Sequence, residues 1–171
     1  MAADELCAAY RRDHGLSVLR LRAFNQLGPG QDSRFVVPSI CKQIADAEMA
    51  GDEVCRLQLG NLETRRDFLD VRDVVDAYRL LIARGDPDQT YLAGRGQSES
   101  IRDLVDIAVS LARVPVEAVS NPSRVREGEQ SDLYAEPRAL KDLGWAPRIP
   151  LEQSISDTLE YWRERAHMEI G

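Results

Sequence analysis

An α/β fold is predicted by three observations on the sequence. Short strand-like runs alternate with helical patterns, the helical patterns carry recognisable start and stop residues, and no internal repeat or flexible linker interrupts them. Residues 2–13 read as the end of a helix in which Leu6, Ala9 and Tyr10 share a face, with Gly15 as its stop. A strand is expected at 16–22, then a turn-rich loop from Asn25 through Gly28-Pro29-Gly30-Gln31. Pro38 opens a helix with Ile40, Ile44 and Ala47 on one side, ending near Gly51. Short strands follow at 54–59 and 67–69.

Asp70 is a capping residue for a helix whose apolar stripe is Val71, Val74, Val75, Tyr78 and Leu81. Gly85-Asp86-Pro87 ends that helix, and residues 90–93 form a strand. Ser100 and Asp103 make a capping-box variant for a helix through Ala112, with Ile101, Leu104, Val105 and Ala108 facing inward. A strand at 116–119, a polar arginine-bearing loop at 121–137, a short helix to Leu143 and a last helix at 151–162 complete the chain.

The 171 residues fit one domain, or one lobe of a larger one, and 43% hydrophobic residues suffice for a core. No apolar run approaches the roughly 20 residues that span a bilayer. The N-terminal Met1-Ala2-Ala3-Asp4-Glu5 lacks the basic start and apolar core of a secretory signal, so the cytoplasm is the expected compartment. Cys7, Cys41 and Cys55 are odd in number and have no Cys or His at ligand spacing, which suits intracellular thiols rather than a disulfide or metal site. A net charge of −7 disfavours nucleic acid as a partner. The cations are almost all arginine, with lysine only at 42 and 141, and arginine supplies the two-pronged donors that suit phosphate.

Gly94-Arg95-Gly96 lies between a strand and a helix, where a dinucleotide fingerprint would sit. The third glycine position is Glu99, whose charge would repel a pyrophosphate, so the segment reads as a plain turn. Gly28-Pro29-Gly30-Gln31 lacks the ending of a P-loop. Three other segments gather polar chemistry. Arg20 to Asn25 ends a strand with an amide entering a glycine-rich loop. Gly60 to Phe68 sets Arg65 and Arg66 before a strand. Arg124 to Glu129 puts two arginines and two carboxylates in one loop.

In this order, the motifs Arg22-Ala23-Phe24-Asn25-Gln26-Leu27-Gly28-Pro29-Gly30-Gln31, Phe35-Val36-Val37-Pro38, Gly60 through Asp73, and Leu143-Gly144-Trp145-Ala146-Pro147 followed by Ile149-Pro150-Leu151-Glu152 resemble one family. They are similar to the C-terminal half of nucleotide-sugar-modifying extended short-chain dehydrogenases. Within these they most resemble the GDP-mannose 4,6-dehydratases and GDP-4-keto-6-deoxymannose reductases. The resemblance implies a Rossmann-type fold cut to its C-terminal part. Remnant parallel strands (1–23 and 86–96) would adjoin a small mixed α/β substrate-binding lobe (24–85 and 97–166). It also implies a GDP-sugar ligand, with Asn25, Arg66 and Arg126 on the diphosphate and Glu129 on the ribose. The loop holding Phe35 and Val37 would wall the base pocket. Asp73 also matches a family residue but reads as first-turn helix chemistry.

Departures occur at Ala23, Gln26 and Glu127, where the family has proline, histidine and proline; Glu127 sets a carboxylate beside Arg126 and weakens the expected grip. Arg66-Asp67-Phe68-Leu69-Asp70-Val71 favours the reductases over the dehydratases. Full-length members bind NADP or NAD on a glycine-rich first turn and use a Tyr-x-x-x-Lys pair. Four residues after tyrosines 10, 78, 91, 134 and 161 stand His14, Ile82, Arg95, Arg138 and Arg165, so neither feature is present. The expectation is therefore the sugar-nucleotide-binding portion of a reductase, inactive alone and without cofactor or catalytic residues of its own. A dehydratase or epimerase fragment and a non-catalytic binding module remain as alternatives. A short sheet with an uncovered edge implies a homo-oligomer.

Overall fold

The computed structural model describes residues 2–121 and 132–168. Helix α1 (Ala2–His14) leads to strands β1 (Arg20–Ala23) and β2 (Asn25–Leu27) and helix α2 (Val36–Ala50). Strands β3 (Cys55–Leu59), β4 (Arg65–Arg66) and β5 (Phe68–Asp70) precede α3 (Val71–Arg84). Then come β6 (Thr90–Ala93), β7 (Glu99–Ser100), α4 (Ile101–Ser110), β8 (Val116–Ser120), β9 (Asp132–Leu133), α5 (Arg138–Asp142) and α6 (Leu151–Met168).

The strands pair mostly in parallel, as βα alternation requires. β1 pairs with β6, β2 with β5, and β3 with β8, all parallel; β4 lies between antiparallel β7 and parallel β9. Two apolar cores result. The first gathers Ile40, Ile44, Leu57, Leu104, Ile155 and Leu159 from α2, β3, α4 and α6. In the second, Leu69, Val74, Leu81, Tyr91, Leu140 and Trp145 bring β5, α3, β6 and α5 together, with Leu19 and Leu21 packed at its margin.

Helix ends follow their sequence signals. Asp70 accepts from the Arg72 N–H at the start of α3, and Ser100 and Asp103 close a reciprocal capping box on α4. Gly51 ends α2 at φ +73°, which a side chain would resist.

Three expectations are corrected. The strand expected at 16–22 forms only over 20–23, the four residues that pair with β6. The loop expected from Asn25 begins later, since residues 25–27 form β2 against β5. The α3 stripe is narrower than its periodicity suggests. Val74, Ala77 and Leu81 are buried, whereas Val75 and Tyr78 stand about half exposed, beyond the reach of the small sheet beneath them.

The family-like ending is anchored through α3. Asp73 is buried, and its carboxylate accepts the backbone N–H groups of Arg148 (3.1 Å) and Ile149 (3.1 Å). Trp145 Nε1 donates to the Asp73 carbonyl at 3.1 Å. Asp73 does sit in the first turn of α3, yet its partners lie more than seventy residues on. Among the described residues, no helix is long and apolar enough to cross a membrane.

Candidate functional site

A cleft of about 1120 Å³ opens where β2, β5, the 28–35 loop and the start of α2 meet. Its size suits a ligand larger than a simple metabolite. Asn25, Phe35, Val37 and Arg66 all line it, so four of the six residues proposed from the sequence converge. Arg126 and Glu129 lie outside the described residues.

Each of the four is placed for a local reason. Asn25 begins β2, and its N–H donates to the Asp67 carbonyl at 3.1 Å where the chain crosses from β1 to β2. Phe35 is the N-cap residue of α2 with no side-chain cap bond, and it is 57% exposed. Val37 is buried in the first core, so it contributes wall and support more than a contact face. Arg66 is half-buried on β4, and its Nη1 donates to the Arg65 carbonyl at 2.7 Å.

The neighbouring arginine is committed elsewhere. Arg65 Nη2 donates to the Ser98 carbonyl at 2.7 Å, and its Nη1 lies 3.9 Å from the Asp103 carboxylate. Hydrogen bonds from Ser100, assisted by Arg65 and Arg102, hold that Asp103 carboxyl below the usual range. Strand alternation thus sends one arginine of the pair to the α4 cap and the other to the cleft.

Sequence reasoning missed Arg34 as a cleft residue. It lines the same space with its side chain 85% exposed. The available signal was the Asp32-Ser33-Arg34 spacing, in which an Asp side chain folds back on the backbone two residues on. The Arg34–Asp32 hydrogen bonds raise the guanidinium pKa and lower that of the carboxyl. The described lining residues include these two arginines and no carboxylate, in a chain of net charge −7.

Asp67 was also missed, having been seen only as the start of a strand. It is fully buried and accepts three backbone N–H groups, from Arg95 (2.8 Å), Gly96 (3.0 Å) and Ala135 (3.1 Å). A Cβ on Gly94 would meet Asp67 Oδ2 and the Ala135 Cβ, each at 2.5 Å, so the turn needs glycine for close approach. The amides of Arg95 and Gly96, the donors a dinucleotide phosphate would require, are thus filled from within. This turn does not fit a nicotinamide cofactor. No group of three or more His, Cys, Asp or Glu side chains among the described residues is placed to hold a metal ion.

The comparisons with known proteins identify this arrangement as the C-terminal part of an extended short-chain dehydrogenase/reductase. The solved structure of RMD from Pseudomonas aeruginosa complexed with NADPH superposes with a TM-score of 0.88 at 36% identity, over 96% of this chain and 54% of that one. UDP-glucose 4-epimerase from Thermotoga maritima with UDP-glucose gives a TM-score of 0.81 at 27% identity, over 96% of this chain and 52% of that one.

The chain belongs to the GDP-mannose 4,6 dehydratase family, whose model matches residues 1–158. It is 37% identical to GDP-6-deoxy-D-mannose reductase of Pseudomonas aeruginosa over 170 residues, covering 99% of this chain and 56% of the relative. The chain therefore spans about half the length of the relatives it matches.

Proposed function

We propose that this chain is the substrate-binding portion of an NADP(H)-dependent GDP-4-keto-6-deoxymannose reductase, gripping a GDP-deoxyhexose in the cleft between β2, β5 and α2. The observation that supports this reading best is the convergence of Asn25, Phe35 and Arg66 on one cleft whose described lining residues include no carboxylate. A diphosphate carries two negative charges, and an arginine fork offers it charge-assisted, directional donors. Arg126 and Glu129 are assigned the second diphosphate contact and the ribose. The higher identity to the reductase (37%) than to the human dTDP-D-glucose 4,6-dehydratase (25%) supports the choice of reaction.

The reacting groups belong to the other half of such an enzyme. This chain holds no Tyr-x-x-x-Lys pair, and its Gly-x-Gly turn is filled by Asp67. Its contribution is substrate grip and specificity, and by itself it is inactive. Among the described residues β1 pairs only with β6, and Leu6, Tyr10 and Leu16 of the preceding segment are about half exposed. An open edge beside apolar side chains favours self-association through residues 16–22 and 90–93.

Titration of GDP against the wild-type chain, Arg66→Ala and Arg126→Ala tests the grip. Each substitution is expected to cost about 1.5–3 kcal/mol of binding. Equal affinity in all three would refute the site, and binding of UDP but not GDP would refute the subgroup.

A further inference from the structure

Arg34 is the cleft cation that the diphosphate grip leaves without a role. Its backbone N–H donates to Asp32 Oδ1 at 2.8 Å, and its Nε donates to the same oxygen at 3.0 Å. One carboxylate oxygen thereby fixes both the backbone and the inner edge of the guanidinium. Among the described residues, Nη1 and Nη2 form no hydrogen bond, so the outer edge of the fork keeps its donors for something else. Phe35, the next residue, is exposed while lining the same cleft. An exposed aromatic residue and a held, two-pronged donor lining one cleft suit a ligand that is flat and carries acceptors on its rim.

We propose that Arg34, oriented by Asp32 and lining the same cleft as Phe35, reads the base of the bound nucleotide and selects guanine. This rests on the sugar-nucleotide reading of the cleft and adds to it the residue that chooses the base. Guanine sets two acceptors, O6 and N7, side by side, which an arginine fork can take together. Adenine sets a donor beside N7, and uracil offers a single oxygen at that edge. Asp32 acts as a positioning residue, since it touches the guanidinium and not the ligand.

The test uses the chain itself and five probes followed by ligand-observed NMR: GDP, inosine diphosphate, 7-deaza-GDP, ADP and UDP. Inosine keeps O6 and N7, whereas the 7-deaza base loses one acceptor of the pair. The wild type should bind GDP and inosine diphosphate alike and the other three about tenfold more weakly. Arg34→Gln should bring all five within about twofold of one another, and Asp32→Asn should fall between. Both positions are exposed on a loop, so the fold is expected to survive, and circular dichroism checks it. A GDP preference that survives Arg34→Gln overturns the proposal. So does an equal loss for all five probes together with inorganic pyrophosphate, which would put Arg34 on phosphate. If the wild type binds none of the five, the sugar-nucleotide reading itself fails and base selection falls with it.

Discussion

Arg163 of α6 joins three elements of the first core, and removing its charge is the sharpest test of how that core is held. Its Nε and Nη2 donate to the two oxygens of Glu48 on α2, each at 2.7 Å. Nη1 reaches Glu160 at 2.6 Å, and Nη2 also reaches the Leu111 carbonyl at the end of α4 at 2.9 Å. The Arg163 and Glu48 side chains are only 9% and 8% exposed. Arg163→Met would keep most of the volume but strand the Glu48 carboxylate with one backbone donor, the Arg113 N–H at 2.7 Å. Breaking a buried pair on one side costs about 3–5 kcal/mol, a large share of the roughly 5–15 kcal/mol that holds a domain. In urea, with a slope of about 2 kcal/mol per molar, the midpoint should fall by about 1.5–2.5 M. The double variant Glu48→Leu/Arg163→Met should regain most of the loss, because no charge is then left buried.

The pH dependence adds a sign. Burial pushes Glu48 up, but hydrogen bonds from Arg163 and Arg113 outweigh it and hold the group below the usual glutamate range. A lowered carboxyl stabilises the fold above its unfolded pKa of about 4.3, and the gain disappears as pH falls through the folded value. In Arg163→Met burial should dominate, so stability should rise as pH falls from 7 toward 5. A loss below about 1 kcal/mol for the single variant, or a double variant no more stable than it, would refute the reasoning.

Asp67→Ala removes the acceptor of three buried N–H groups and should cost about 3 kcal/mol or more; Gly94→Ala, which crowds the same carboxylate, should cost about 1–3 kcal/mol. Urea midpoints measure both. Calorimetry should detect no saturable NADPH binding at micromolar concentration, and such binding would overturn the view that the cofactor half lies outside this sequence. Sedimentation at tens of micromolar should find a dimer or larger species, since even a few hundred Å² of apolar surface is worth several kcal/mol on association. A clean monomer with slow amide exchange at residues 17–21 would contradict it.

The parts of the fold that were legible in the sequence are those decided within a few residues. Asp70, Ser100 with Asp103, and Gly51 announce helix ends because a cap is a local bond or a local φ. What depended on a distant partner was hidden. The length of β1 is set by β6, about seventy residues on, and the exposure of Val75 and Tyr78 by how little sheet lies below α3. Asn25-Gln26-Leu27 has no strand-like composition and becomes a strand only because β5 lies alongside. The site divides the same way. Asn25, Phe35, Val37 and Arg66 were named from resemblance to an ordered set of motifs, and all four line one cleft. The tasks of Asp67 and Asp73 were illegible, since their partners are backbone amides that carry no sequence signature.

From Arg66 to Asp70, five consecutive side chains divide their work between the cleft, a turn, two cores and a helix cap. Arg66 lines the cleft, Asp67 closes the Gly94–Gly96 turn, Phe68 enters the first core and Leu69 the second. Asp70 caps α3 and also accepts from Arg72 and the Ser154 hydroxyl at 2.6 Å. Neighbours in a strand point to opposite faces, so a shift of one position would misplace all five at once. The segment has a single workable alignment, and it ties the floor of the cleft to both cores. The part of the cleft wall that this segment supplies is therefore only as mobile as the interior behind it.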